Sequence, residues 1–385
     1  MDQFDVTIVG AGLAGLHLAR LLAQSGLRVA LTDRKRALDE SVHTTGIFVR
    51  KTLEDFELPE DCLGPVIRDV TLYSPRLRAI NLASTHDEFR VGKMRLLYGR
   101  FLKRCVHAGV EWLPEMRYLD QATAAGGSIV RFDHHGEIAR IHTRYIVGAD
   151  GATSRVAEAL RLDRNSEWIV GLEEVFQGVE LTGPPQLHCF IDPRLAPGYI
   201  AWVVNDGEET HVGVGGYASR FEPARALTSF HNRIGHLFDL RDAELIDRRG
   251  GRIPVNGILR RIANERGLLV GDAAGAVSPL TAGGFDGCLR LSTFAASVIE
   301  KFIKTGDEMV LANYSGERFR SRFISRRWMR RALACVKNAS LIEVGCAMLR
   351  LPILNSFGRH IFFGRGSFPD VSAEQMPRLA SVRGL

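Results

Sequence analysis

The stretch DVTIVGAGLAGLHLARLLAQSGLRVALTDR, close to the N-terminus, constrains this chain more than any other. The apolar run Val6 to Val9 predicts a buried parallel strand. It turns at Gly10-Ala11-Gly12-Leu13-Ala14-Gly15 into a helix with apolar side chains at Leu16, Ala19, Leu22 and Ala23. Gly26 closes that helix, a second strand runs Arg28 to Thr32, and Asp33 stands at its end. In such a turn Gly10 allows the tight bend, Gly12 lets a pyrophosphate approach the backbone, and Gly15 lets helix and strand pack closely. The helix N-terminus offers free N–H groups and a positive dipole end to the phosphates. A carboxylate placed like Asp33 accepts hydrogen bonds from the hydroxyls of an adenosine ribose. A dinucleotide-binding unit of Rossmann type is the expectation.

Two later stretches point to the same ligand. Asp150-Gly151 ends a buried strand in VGADGATSRV, and Asp272 does so in LLVGDAAGAVSPLTAGGFDG. A buried carboxylate needs partners. The ribityl hydroxyls of a flavin would supply them at Asp272, whereas the plainer reading is that Asp150 and Asp272 only cap turns. Backbone N–H groups at Gly283, Gly284 and Phe285 could meet the pyrimidine end of the flavin ring and stabilise negative charge there. With one complete fingerprint and no second GxGxxG, one noncovalent FAD per chain is expected.

At 385 residues the chain suits two domains and a helical tail. Residues 1–165 plus 256–300 form the discontinuous FAD-binding domain. Strand-like runs punctuated by proline and glycine make 166–255 an inserted antiparallel β-sheet that floors or covers a substrate pocket. Residues 60–90, with β-rich pieces at Val70–Ser74 and Ala79–Ala83, are candidates to join that sheet. Residues 301–385 read as a helical C-terminal region. The fold class is therefore α/β.

GAGLAG with Asp33, then GADGATSRV, then GDAAGAVSPLTAGG resembles the FAD-dependent enzymes shaped like p-hydroxybenzoate hydroxylase. Within them the chain most resembles the geranylgeranyl reductase family. Its SPLTAGG is near that family's SPLTGGG, and Pro197-Gly198-Tyr199-Ile200-Ala201-Trp202 is similar to its PGYxW stretch. The resemblance implies reduced FAD delivering hydride to the double bonds of a prenyl chain in a long apolar tunnel. It also implies cofactor roles for Ala14, Asp33, Arg95, Asp272, Gly284 and Phe285. Gly10, Gly12, Gly15, Arg34, Thr44, Thr45, Asp150, Gly151, Gly271 and Gly283 complete the expected cofactor contacts. Two departures stand out. The family's Cys-Gly-Gly-Gly corresponds to His43-Thr44-Thr45-Gly46, which has no thiol, and its aromatic-x-Phe-Pro continuation reads Val203-Val204-Asn205.

His43, which titrates near neutrality as a free imidazole, is a candidate proton donor, with a loop histidine that only hydrogen-bonds as the alternative. Tyr199 and Trp202, three apart on an expected strand, should face opposite sides. Trp202 is the better candidate for the pocket wall. Cys288 reads as a small buried helical residue. Reduction of carbon–carbon double bonds in a lipophilic, isoprenoid-like substrate leads. The alternative is an FAD monooxygenase of an aromatic or polyketide-like compound, followed by a flavin halogenase or a nonenzymatic redox sensor. Against halogenation, no lysine occurs from Thr52 through Gly92. NAD(P)H, ferredoxin or a dedicated flavin reductase are all open as electron donor.

Six scattered cysteines and twelve histidines show no metal spacing, and the sequence begins without an export signal, so no metal and a cytoplasmic location are expected. The net charge of +6 is uneven: seven arginines lie between Arg318 and Arg331 with no acid, among Phe319, Phe323, Ile324 and Trp328. A solvated helix face is the plain reading. A peripheral membrane contact is the sharper one, and no motif accompanies the charge to suggest nucleic acid. Because this segment lies outside every cofactor motif, its substitution is expected to leave flavin content unchanged.

Overall fold

A computed structural model describes residues 2–40 and 42–364, with backbone only at 321 and 322. The strand Gln3–Val9 pairs in parallel with Val29–Thr32 on one side and Glu137–Gly148 on the other. Val6 and Ile8 are fully buried, as a central parallel strand covered on both faces requires. Gly267–Leu269, with the two-residue strand Ala263–Asn264 outside it, extends the sheet on one side and Glu111–Leu113 on the other. The helix Leu13–Gln24 packs on this sheet beside Met94–His107 and Phe285–Thr305. A meander, Arg117–Ala124 and Gly127–His134, runs antiparallel into the long strand 137–148.

The second sheet has seven strands, in the order 244–254, 168–177, 209–216, 201–205, 186–190, 69–73 and 79–82. The strands at 69–73 and 79–82 thus belong to this sheet, joined through a parallel pairing of Asp69–Tyr73 with Gln186–Phe190. Alternation gives it two distinct faces. One carries Ala201, Val203, Val212 and Val214 and is covered by the helix Pro223–Ile234. The other carries Leu72, Leu187, Cys189 and Trp202 and faces a cavity. The edge strand Glu244–Pro254 is not anticipated by the sequence pattern, because Arg248-Arg249-Gly250-Gly251 interrupts the apolar alternation. Trp168–Gln177 is a single strand, with a register shift against the edge strand between Val175 and Phe176.

After Phe285–Thr305 the chain continues through the helices Glu317–Cys335, Ala339–Met348 and Pro352–Phe363. The part of the expected tail beyond residue 364 lies outside the described residues.

Candidate functional site

The three fingerprint glycines act differently. A Cβ on Gly10 would stand 2.3 Å from the carbonyl oxygen of Ala149, and one on Gly15 would stand 2.0 Å from that of Gly10. Both therefore permit close backbone packing. At Gly12 a Cβ would meet nothing within 4 Å, because this residue borders the cavity. Asp33 accepts from the N–H of Ala11 at 2.8 Å and of Lys35 at 2.9 Å, tying the turn to the end of the second strand.

A cavity of about 1410 Å³ runs between the two sheets. It is bordered by Gly12, Ala14, Asp33 and Arg34 at one end and by Gly271, Asp272 and Gly283 to Phe285 further along. Two helices begin on it, at Leu13 and Phe285, and neither glycine N-cap supplies a side-chain cap. Among the described residues no side chain caps their first N–H groups, which suits them to anionic groups. Among the described residues no donor reaches the Asp272 side chain, and burial pushes its carboxyl up to about 6. A hydroxyl-bearing ligand fits such a carboxylate. The donor set therefore suits FAD: Gly12 and the first helix for pyrophosphate, Asp33 for ribose, Asp272 for the ribityl chain, Gly283 to Phe285 for the ring.

Asp150 borders the cavity but has its own structural duty. One carboxylate oxygen accepts from the N–H of Arg155 at 2.8 Å and of Val156 at 3.2 Å, capping the short helix Arg155–Ala159. The other oxygen is buried without a partner among the described residues. Gly151 follows it with φ +83°. Arg95 does not border the cavity, contrary to expectation. It donates to Asp247 Oδ2 at 2.6 Å and to the carbonyl of Asp39 at 3.1 Å, so it braces the rim from behind. Its helix turns the side chain toward the edge strand 244–254, an element the sequence pattern does not reveal.

Thr44, Thr45 and His43 border the cavity as expected. Burial, with Lys35 and Arg34 beside it, holds the His43 imidazole below the ordinary histidine range, while Asp247 and Asp33 pull the other way. These neighbours put His43 toward the Asp33 end. Cys288 is buried in the helix Phe285–Thr305, where burial pushes its thiol up.

Tyr199 and Trp202 both border the cavity, with ring centroids 6.4 Å apart. Simple alternation fails because the strand begins only at Ala201, and Tyr199 sits in the turn before it. Two glycines of the neighbouring strand make room. A Cβ on Gly213 would meet the Trp202 ring at 2.2 Å, and one on Gly215 would meet Tyr199 at 2.7 Å. The Trp202 indole N–H donates to Glu173 Oε2 at 2.9 Å, and the Thr45 hydroxyl donates to the same oxygen. His211 Nδ1 meets Glu173 Oε1 at 3.1 Å, and Arg249 Nη1 lies 3.9 Å from it.

This buried charged group is absent from the sequence expectations. The one visible signal is the polar and glycine period in THVGVGG, which puts His211, Gly213 and Gly215 on one face. Asp206, Glu209 and His211 also place ligand atoms within 4.8 Å of one another. Arg249 Nη2 lies 3.6 Å from Glu209, so protein cations already meet this charge and the group forms an ion-pair network.

The arginine-rich helix Glu317–Cys335 corrects the expectation attached to it. Arg330 is 1% exposed and donates to the carbonyl of Pro279 at 2.8 Å and to the Tyr217 hydroxyl at 3.1 Å. Arg326 donates to Ser278 Oγ at 3.1 Å, and Arg327 and Arg331 both reach Glu167. Arg326, Arg327, Arg330 and Arg331 are thus all engaged with the protein itself, and two of them grip SPLTAGG, an expected cofactor motif. The loop they hold is strained: Ala282 has φ +54°, a left-handed conformation that favours glycine.

Comparison with known proteins agrees with this geometry. The model of an FAD binding domain matches residues 101–326, and that of an FAD dependent oxidoreductase matches residues 5–132. Digeranylgeranylglycerophospholipid reductase 1 of Methanococcoides burtonii is 26% identical over 84% of this chain and 81% of its own. A geranylgeranyl bacteriochlorophyll reductase-like structure from Thermoplasma acidophilum superposes with a TM-score of 0.78 at 21% identity, covering 89% of this chain and 90% of that one. The p-nitrophenol 4-monooxygenase of Pseudomonas putida gives 0.70 at 18% identity, with 95% and 100% covered. The shared architecture thus spans a reductase-like protein and a monooxygenase, and the fold alone does not choose between them. With a family model over more than half its length, the chain belongs to the FAD binding domain family of FAD-dependent oxidoreductases.

Proposed function

We propose that the protein saturates carbon–carbon double bonds of a long, isoprenoid-like lipophilic substrate, using hydride from reduced FAD. One observation carries this reading. Besides the residues of the cofactor cradle, the cavity is bordered by the apolar side chains Leu72, Phe89, Leu187, Ile191, Leu333 and Phe362, which pack in one cluster with Trp202. Its volume of about 1410 Å³ exceeds the roughly 300–1,000 Å³ typical of one small ligand, so it suits a dinucleotide and a chain-like substrate together. The relative from Methanococcoides, by its name, reduces such a lipid.

A lipid surface is the natural source of this substrate, and the far end of the cavity supports that idea. Leu349 and Phe357 border the cavity, and Phe357 is also exposed. Around them Leu341, Val344, Leu351 and Ile353 are exposed, Ile353 at 83%. No single described helix is long and apolar enough to cross a membrane. A shallow, reversible contact through the bent pair Ala339–Met348 and Pro352–Phe363 is the proposal, replacing the arginine segment as the principal element.

The test is anaerobic. FAD reduced on the enzyme should be reoxidised by a prenyl lipid, with a product heavier by two hydrogens. Reoxidation only by oxygen plus an aromatic substrate, with one oxygen gained, would assign the monooxygenase reaction instead.

A further inference from the structure

Glu173 and His211 are buried on the cavity-side face of the seven-stranded sheet, at 5% and 1% side-chain exposure, and Asp206, at 3%, is buried beside His211 in the turn between the strands 201–205 and 209–216. Their placement follows from strand register. Glu173 lies opposite Gly213 and Val175 opposite His211, so the Glu173 and His211 side chains share the cavity-side face. His211 Nε2 stands 3.7 Å from Asp206 Oδ2, an ion-pair distance longer than a hydrogen bond. Asp206 is fixed in the turn by accepting from the N–H groups of Glu208 and Glu209. Arg249 faces the group from the edge strand, held by Asp247 at 2.8 Å, and Lys93 pairs with Glu208 outside it.

Buried ion pairs are weak contributors to stability, since desolvation offsets much of their attraction. Apolar side chains would fill this wall as well. What the charges add is an ionisable carboxylate bordering the cavity, with a second proton-binding group directly behind it. Burial disfavours a charged imidazole, but the two flanking carboxylates outweigh it and raise His211 to about 9, so it carries a proton at neutral pH.

We infer that the Glu173–His211 pair stores the proton needed for double-bond reduction and that Glu173 passes it into the cavity, with Asp206 as a positioning residue behind His211. The inference rests on the reductase reading above. Saturating a double bond takes a hydride, which the bound cofactor supplies with its electron pair, and one proton. The His211 Nδ1 proton moves to Glu173. From there it passes, directly or through the Thr45 hydroxyl, to the substrate carbon, where the π electrons of the double bond form the new C–H bond. Glu173 returns to carboxylate, His211 is left neutral, and water reprotonates it before the next turnover.

Two measurements test this. The first needs no turnover: NMR titration of His211 in the FAD-loaded protein. Wild type should hold its proton through neutral pH and release it near pH 9. Glu173→Gln and Asp206→Asn should each move that release at least about tenfold in proton concentration toward acid, and a His211 neutral at pH 7 in wild type would overturn the proposal. The second is single-turnover reoxidation of reduced enzyme by geranylgeranyl lipid in H₂O and D₂O. Glu173→Gln should slow it by about 100-fold or more, the usual range for a lost general acid. Flavin content and far-UV circular dichroism verify that the variant folds. Asp206→Asn, which keeps Glu173, should move the alkaline limb of the rate profile to lower pH. Wild-type reoxidation with Glu173→Gln equally fast, or slowing by His43→Gln alone, would overturn the proton store while leaving the reductase intact. Wild type that no prenyl lipid reoxidises would overturn the reductase reading itself.

Discussion

Arg330 donates to the carbonyl of Pro279 across 2.8 Å, with its guanidinium over the rings of Tyr199 and Tyr217 at 5.5 and 5.1 Å. A cation of the C-terminal helix thereby holds together a cofactor loop and the aromatic cavity wall. Arg330→Met keeps the stem and removes the charge-assisted hydrogen bonds, worth about 1.5–3 kcal/mol each at most. Lower thermal stability and faster FAD loss are the expected outcomes, measured by melting and by flavin fluorescence on dilution. Ala282→Gly in the same loop should do the reverse for stability, gaining about 1 kcal/mol by relieving the left-handed alanine.

Gly213→Ala is expected to evict the Trp202 indole from its seat, since the new methyl would lie 2.2 Å from the ring. Overpacking of this kind costs about 1–3 kcal/mol. The check is the fluorescence of Trp202, isolated by difference against Trp202→Phe. A spectrum unchanged from wild type would mean that the ring does not lie on this glycine.

The contrast between these two sites shows what a sequence makes legible. The Gly10 turn, the strand before it and the strand that ends at Asp33 lie within one short stretch of sequence, and each is where the pattern puts it. Glu173 joins Thr45, Trp202, His211 and Arg249 from four separate strands and loops, and no window of sequence contains them together. Arg95 illustrates the same limit. A motif-based assignment puts it on the cofactor, but its partner Asp247 lies on an edge strand hidden by arginines and glycines. Tyr199 and Trp202 escape alternation because a strand boundary falls between them.

Asp272 should make the FAD-free protein less stable as pH rises. Its carboxyl goes from 3.8 to about 6 on folding, so the folded chain holds the proton longer than the unfolded one. Stability is then highest below the unfolded value, falls between pH 4 and 6, and stays lowered above it, by roughly 1–3 kcal/mol. Asp272→Asn removes the ionisation. It is expected to stabilise the FAD-free protein at pH 7.5 in urea unfolding, flatten the fall between pH 4 and 6, and weaken FAD retention. An Asn variant less stable than wild type at pH 7.5 would contradict this account.

The lipid-contact proposal predicts a division of labour between the C-terminal helices. Leu351 and Ile353 are 56% and 83% exposed at the start of the helix Pro352–Phe363, near cavity-lining Phe357. Inserting an apolar side chain of this size contributes roughly 1.5–3 kcal/mol, whereas each basic residue near an anionic surface adds about 1 kcal/mol. Sedimentation with vesicles should therefore show binding that survives raised salt in part, because salt screens the charges and not the insertion. Leu351→Glu with Ile353→Glu should leave the protein in the supernatant with its flavin intact. Replacing Arg326, Arg327, Arg330 and Arg331 together with glutamine should instead lower flavin content, since Arg326 and Arg330 hold Ser278 and Pro279 beside the cofactor cradle. Full supernatant recovery of wild type with neutral and anionic vesicles at every salt concentration would remove the membrane from the picture. Retention of flavin by the arginine variant would show that the loop stands without its clamp.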